Sequence, residues 1–337
     1  MGFRLRRGAS VSVEVRRIVL RQLEVAISEL HTVGDPESDE AVHDARRRVK
    51  KIRAIIRLVR PVLDRTYRVV DHDLREVSKM LAPVADGQGV IETLNAIATR
   101  YHKALPERTI GAARAGLIRR GARVDREAYA RGVLEKAAHS LHNERRRVKH
   151  WHLAAEGFPA VAAGLEESYR RARRLMIAAW SKPTPSHYHR WRQHVKNHWF
   201  HIRLLESRCG YHLEAHERRI EALDGVLGEY HNVVLLREIL VSDGYLSRDE
   251  TARCLRVVAR YQRVLRRHAE RLALGIYSER PRRFVRRIKR LWRNTPSPAS
   301  HAHRRPCGSG RAPSQSAVRV RPDGRGWPAT VCCARAA

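Results

Sequence analysis

A single shift of 146 residues lays one part of this chain over another. Setting His43 on His189 also sets Arg46 on Arg192, Val49 on Val195, Lys50 on Lys196, Ile56 on Ile202, Arg57 on Arg203 and Leu58 on Leu204. With no gap, the same shift sets Leu81 on Leu227, Asp86 on Asn232, Glu92 on Glu238 and Leu94 on Leu240. Two separate segments obeying one offset imply a chain built from two related halves. A repeat of this length predicts pseudo-two-fold packing and not a short-period solenoid.

The halves are helical. Apolar residues recur at spacings of three and four through 13–30, 40–60, 66–82, 90–104, 127–150, 161–180, 187–206, 214–240 and 249–274, which is the helix period. Strand alternation is absent. Breaks fall at "GDPESD" (34–39), "SKPTPS" (181–186) and "SDGYLS" (242–247), which are loop compositions. The expected fold is all-α: two pseudo-symmetric antiparallel helical bundles around a basic groove or pore. It occupies residues 1–293, with a first half of about 1–150 and a second of about 151–293. Residues 294–337 hold six of the fourteen prolines and little that could form a core, so they are expected to be a disordered basic tail.

Sixty-eight Lys and Arg against 35 Asp and Glu give a net charge of +33. Such a field repels itself in a compact protein and calls for an anionic partner: nucleic acid, polyphosphate or an anionic surface. A coding bias toward Arg would also raise the count, but it does not predict where the charges fall. The five cysteines (Cys209, Cys254, Cys307, Cys332, Cys333) share no metal-type spacing, and three lie in the tail. They suggest a reducing compartment without disulfide framework or zinc site. The opening "MGFRLRRGASVSVEVRRIVL" has no apolar core of a secretory signal, and no run of eighteen apolar residues occurs. The expected location is the cytoplasm.

The charges fall on one stripe. "AVHDARRRVKKIRAIIRLVR" (41–60) carries eight Arg or Lys, and no acid stands between Asp44 and Asp64. With His43 at zero on a helical wheel, Arg46, Lys50, Arg53 and Arg57 fall at about 300°, 340°, 280° and 320°. Val42, Ala45, Val49, Ile52, Ile56 and Val59 occupy a separate arc roughly a third of a turn away. Like charges at i, i+3 and i+4 repel by a few tenths of a kcal/mol each. A helix with a merely solvated surface would intersperse Glu. The second copy, "HYHRWRQHVKNHWFHIRLLE" (187–206), repeats the arc with His189, Arg192, Lys196 and Arg203, and Trp199 replaces the fourth cation. Trp191, Val195, Ile202 and Leu205 form its apolar face. His198 sits among them, as a packing histidine would. Arg offers planar bidentate contacts to phosphate, Lys a point charge, and His a donor once protonated.

These helices resemble the two signature helices of CHAD domains, the conserved histidine α-helical domains. "LREVSKMLAPVAD" and "LDGVLGEYHNVVLLREIL" are similar to the helices that follow each, "GFRLRRGASVSVEVRRIVLRQL" to the family's opening, and "GLEESYRRARRLM" to the basic helix before the second signature. The resemblance covers about residues 3–290. It implies two helical bundles and binding of inorganic polyphosphate in a basic groove or pore between them. His43, Arg46, Lys50, Lys51, Arg53 and Arg57 match the first signature, and His189, Arg192, Lys196 and Arg203 the second. Lys79, Arg170, Arg173 and Arg174 stand where the family carries basic residues, and Tyr169 matches an aromatic. There are departures. Ala85 replaces a basic residue, Gly87 and Gly89 should loosen their helix, and Asn197 and Trp199 stand where cations are common. Many relatives begin with a triphosphate tunnel domain marked by ExExK. Ser12, Glu14 and Arg16 do not match that pattern, so a stand-alone CHAD protein is expected.

The function expected is non-catalytic capture of inorganic polyphosphate, with no cofactor, no metal, no obligate protein partner and no membrane. The resemblance makes polyphosphate granules a further expected location. The alternative is an RNA or single-stranded DNA binder, with Trp191, Trp199 and Phe200 as stacking platforms. No recognition-helix motif, RNP aromatic pair or GXXG loop appears, and weak nucleic-acid binding through charge alone is the more modest form of that reading. A phosphohydrolase is the least favoured reading. Mg²⁺ chemistry wants carboxylates, Asp44 lies about 100° off the stripe, and no P-loop occurs.

Overall fold

Helix α1 (Val11–His31) shows how the chain builds each element. Val11, Val15, Ile18, Val19, Gln22, Leu23, Ala26, Ile27 and Leu30 are its buried residues at three-four spacing, together with Glu14. The computed structural model describes residues 2–31, 38–63, 66–85 and 87–294, and among these it is all-helical. The expected tail therefore lies outside the described residues, as does most of the "GDPESD" break. Twelve α-helices occur among them. After α1 come α2 (Ser38–Leu58), α3 (Thr66–Met80), α4 (Ala82–Ala85), α5 (Gly87–Arg100), α6 (Glu107–Ala130) and α7 (Val133–Val148). Then follow α8 (Pro159–Ser181), α9 (Pro185–Cys209), α10 (Glu214–Ser242), α11 (Arg248–Ile276) and α12 (Pro281–Asn294).

Element bounds follow the offset found in the sequence. Adding 146 to α1, α2, α6 and α7 gives 157–177, 184–204, 253–276 and 279–294, beside the spans of α8, α9, α11 and α12. The same addition puts α3, α4 and α5 together on the single long helix α10. Pro83 accounts for that difference. It has no N–H to donate, and its ring meets the carbonyl four residues back, so the helix is interrupted near Leu81. Position 229 in α10 is Glu, and the helix runs through.

Three helices, α6, α7 and α12, depart from the periodicity reading. The stretch 127–150 is not one helix: Gly132, at φ 58°, takes the left-handed conformation between α6 and α7. Helix α6 begins at Glu107, where three glycines (Gly111, Gly116, Gly121) dilute the apolar pattern. Helix α12 was also unread; its seven cations in fourteen residues mask a narrow apolar stripe.

Helix pairs α1–α2, α1–α7, α8–α9, α9–α10 and α10–α11 make the main packing contacts, while α2 joins α8 and α9 across the halves. One continuous core runs through them, from Leu5 and Val19 to Phe284 and Ile288. Gly164 lets α8 approach the end of α2: a Cβ there would stand 1.8 Å from the Leu58 carbonyl oxygen. Glu14 belongs to this scaffold. Burial would raise its pKa, but hydrogen bonds and ion pairs with Arg17 and Arg6 prevail and hold it at about 2.

Candidate functional site: a cationic cavity between two signature helices

Helices α2 and α9 turn part of their charged faces into one cavity of about 670 Å³. Their buried faces fix this orientation. Val42, Val49, Ile52, Ile56 and Val59 of the first, and Trp191, Val195, Ile202 and Leu205 of the second, are all at or near zero exposure. Each helix therefore has one arc left for its cations. His201 ties them together. Its Nε2 lies 2.8 Å from the Ala54 carbonyl on α2, so that nitrogen donates, leaving Nδ1 to accept from the Ser168 hydroxyl on α8 at 3.0 Å. Arg57 crosses the same seam by donating to Asn197 Oδ1 at 3.2 Å.

From α2 the cavity receives Arg46, Lys50, Arg53 and Arg57, with Arg60 just beyond the helix end. From α9 it receives His189, Arg192, His194, Lys196 and His201. Helix α3 adds Asp71, Arg75, Ser78 and Lys79, spaced i, i+4, i+7 and i+8 on one face. Helix α8 adds Gly164, Glu167, Ser168 and Arg171, and α10 adds His231. The wall thus carries ten Lys or Arg against two carboxylates, Asp71 and Glu167. Asp71 Oδ1 accepts from both Arg53 (2.9 Å) and Arg57 (3.1 Å), holding two guanidiniums in place. Lys196 pairs with Asp224 at 2.7 Å. Burial lowers the pKa of His194 to about 4, and the neighbouring Arg171 and Arg57 push the same way. Burial likewise brings His201 to about 4. Both rings are neutral at pH 7.

Eight of the expected site residues meet here: Arg46, Lys50, Arg53, Arg57, Lys79, His189, Arg192 and Lys196. Six do not. His43 is exposed one turn before the cavity begins. Lys51, about 100° round from Lys50, lies over the Phe3 ring at 5.6 Å. Arg203 lies over Trp199 at 5.6 Å and 3.9 Å from Glu217. On α8, Arg170 pairs with Glu166 and Glu167 beside a different groove, Arg173 donates to the Tyr277 carbonyl at 3.1 Å, and Arg174 is exposed. The α8 residue that enters the cavity is Arg171. Its signal was legible, because Gly164, Ser168 and Arg171 stand at i, i+4 and i+7. Arg60, Arg75, His194 and His231 were also missed. Arg75 shares a face with Lys79. Arg60 and His231 depend on how neighbouring helices pack.

The remaining sequence readings resolve locally. His198 is fully buried, with Nδ1 3.2 Å from the Tyr277 hydroxyl, as a packing histidine. Tyr169 is buried and stacks on Phe284 at 4.2 Å, so it belongs to the core. Gly89 lies inside the continuous helix α5, where Asn232 of α10 approaches it and donates to its carbonyl at 3.1 Å.

A model of the CHAD domain matches residues 17–241, from α1 to the end of α10. The chain belongs to the CHAD domain family. Its fold is similar to the solved structure of PptA from Streptomyces chartreusis, with a TM-score of 0.59 at 16% identity over 80% of this chain and 100% of that one. At that identity the likeness is one of fold alone. A comparison with curated proteins finds no match. No described helix of this CHAD domain protein is long and apolar enough to cross a membrane.

Proposed function

We propose that this CHAD domain binds inorganic polyphosphate in the cavity between α2 and α9, without breaking it. The observation that carries the reading is the ratio on the cavity wall, ten cations to two carboxylates, drawn from elements far apart in sequence. A phosphate polymer bears a negative charge on every unit. Each neutralised phosphate releases counterions, so affinity builds along the chain without any base being read. Arg46, Lys50, Arg53, Arg57, Lys79, Arg171, Arg192 and Lys196 make the contacts, with His189 at the rim. His43, Lys51, Arg170, Arg173, Arg174 and Arg203 act outside the cavity, as approach charge or structure. The expected repeat supports the reading, because Arg46 and Lys50 on one wall correspond by the offset of 146 to Arg192 and Lys196 on the other.

Two further observations support capture over catalysis and over base recognition. Asp71 and Glu167 are engaged by arginines, which withdraws them from holding Mg²⁺. Trp191 and Phe200 are buried, which withdraws two of the three stacking platforms a nucleic-acid binder would use. The protein then acts in the cytoplasm or on polyphosphate granules.

The test is a polyphosphate isotherm across ionic strengths. Replacing Arg46 and Lys50 together by Ala should cost at least about 2 kcal/mol, a loss of roughly 30-fold. It should also flatten the slope of log K against log salt by about 1.4. Unchanged affinity and slope would reject the assignment, and phosphate released in the presence of Mg²⁺ would reject the non-catalytic part.

A further inference from the structure

Helix α12 carries a second cationic face, on the other side of α8 from the cavity. With Arg282 at zero, Arg286, Lys289, Arg290, Arg293 and Arg283 fall at about 40°, 340°, 80°, 20° and 100°. All six are exposed, and among the described residues no carboxylate lies within ion-pair distance of them. Phe284, Ile288, Leu291 and Trp292 occupy the opposite arc, from about 180° to 280°. That arc is anchored: Phe284 stacks on Tyr169, and Trp292 packs on Phe158 at 5.6 Å and under Arg208 at 5.0 Å. The cationic face is thus held in fixed position along about 21 Å of helix. Beside it runs an open groove of about 1200 Å³, to which Arg170 of α8 contributes.

A merely solvated face does not account for this arrangement. Helix α7 stands at the offset-equivalent position and mixes its signs, with Glu135 and Glu144 among Lys136, Arg145, Arg146 and Arg147. Helix α12 has seven cations and no acid. The fold therefore accepts acids at this position, while α12 accepts the repulsion. The two cationic surfaces also adjoin. Arg170 faces the α12 groove and its neighbour Arg171 enters the cavity.

We propose that the α12 face is a second phosphate-polymer site, which takes the part of a long polyphosphate chain that overhangs the α2–α9 cavity. This rests on the cavity reading given above. A cavity of about 670 Å³ holds only a short run of phosphates, and a longer chain leaving it past α8 meets guanidiniums in a row. Six of the seven cations on α12 are Arg, which suits bidentate contact with phosphate oxygens. The apolar arc of α12 is buried in the core, so this helix cannot insert into a lipid surface.

The experiment compares tripolyphosphate with polyphosphate of roughly 100 units, measured on the full chain. Three proteins are used: the wild type, an Arg282→Gln, Arg286→Gln, Arg290→Gln variant, and the Arg46→Ala, Lys50→Ala variant. The α12 variant leaves the apolar arc intact, and its melting temperature checks the fold. The wild type should bind the long polymer more tightly than the short one. The α12 variant should lose at least fivefold of that gain and keep its short-chain affinity within twofold. The purely statistical gain from many binding registers survives in this variant, so the loss reads α12 alone. The cavity variant should weaken both ligands. Were the α12 variant to retain the full gain, or to weaken both ligands equally, the second site would be overturned. It would also be overturned if the variant kept the gain but lost retention of single-stranded RNA, which would make the face a nucleic-acid surface. Short-chain binding indifferent to Arg46 and Lys50 would instead sink the cavity reading.

Discussion

Asp71 and His194 show what single residues contribute to a site made mostly of like charges. Asp71 accepts from two arginines of α2, so their guanidiniums are positioned before any ligand arrives. His194 is neutral because burial and the adjacent arginines hold its pKa at about 4. A polyanion in the cavity reverses that balance and raises the pKa, so binding takes up protons as pH falls from about 6 toward 4. Calorimetry in buffers of different ionisation enthalpy should detect this uptake at pH 5.5, and His194→Gln should reduce it. Equal uptake by wild type and variant would assign the proton elsewhere. The expected site residues that lie outside the cavity are informative at this scale. Lys51 and Lys50 are neighbours of the same charge, yet 100° of helix rotation sends one to Phe3 and the other to the cavity.

Among elements, α8 decides how closely the two signature helices and α3 can assemble. Its Gly164 faces the Leu58 backbone, and a Cβ would overlap it at 1.8 Å. Backbone cannot rotate out of the way as a side chain can. Gly164→Ala should therefore destabilise by about 1–3 kcal/mol and lower the melting temperature by several degrees, as a denaturation curve would show. Most helices were legible from period alone, because a three-four apolar spacing survives even at this charge density. The failures have local causes. Gly132 interrupts what reads as a continuous pattern, glycines thin the stripe of α6, and cations crowd that of α12. The site was legible only on the signature helices, where stripe and repeat coincide. Arg60, His194 and His231 reach the cavity through packing between helices that no single periodicity encodes.

Taken whole, the molecule keeps neutral histidines in its interior: His201 on the cavity wall, and His198 and His216 packed around Phe284. Burial holds His201 and His216 at about 4, and it lowers fully buried His198 further still. Each binds a proton in the unfolded chain near 6.5 but resists one when folded. Stability is therefore full above that pH and declines as pH falls from about 6.5 toward 4. His201 alone contributes a loss on the order of 3 kcal/mol across the window. Chemical denaturation at pH 7.5 and pH 5 should show the decline, and a flat profile would contradict the buried neutral state. The central claim is that both signature helices grip one phosphate polymer from opposite walls. A structure of the protein with a short polyphosphate tests it directly. Phosphate oxygens should lie within hydrogen-bond distance of Arg46 or Lys50 from α2 and of Arg192 from α9 in the same cavity. Phosphates bound along only one helix, or elsewhere with this cavity holding none, would contradict it.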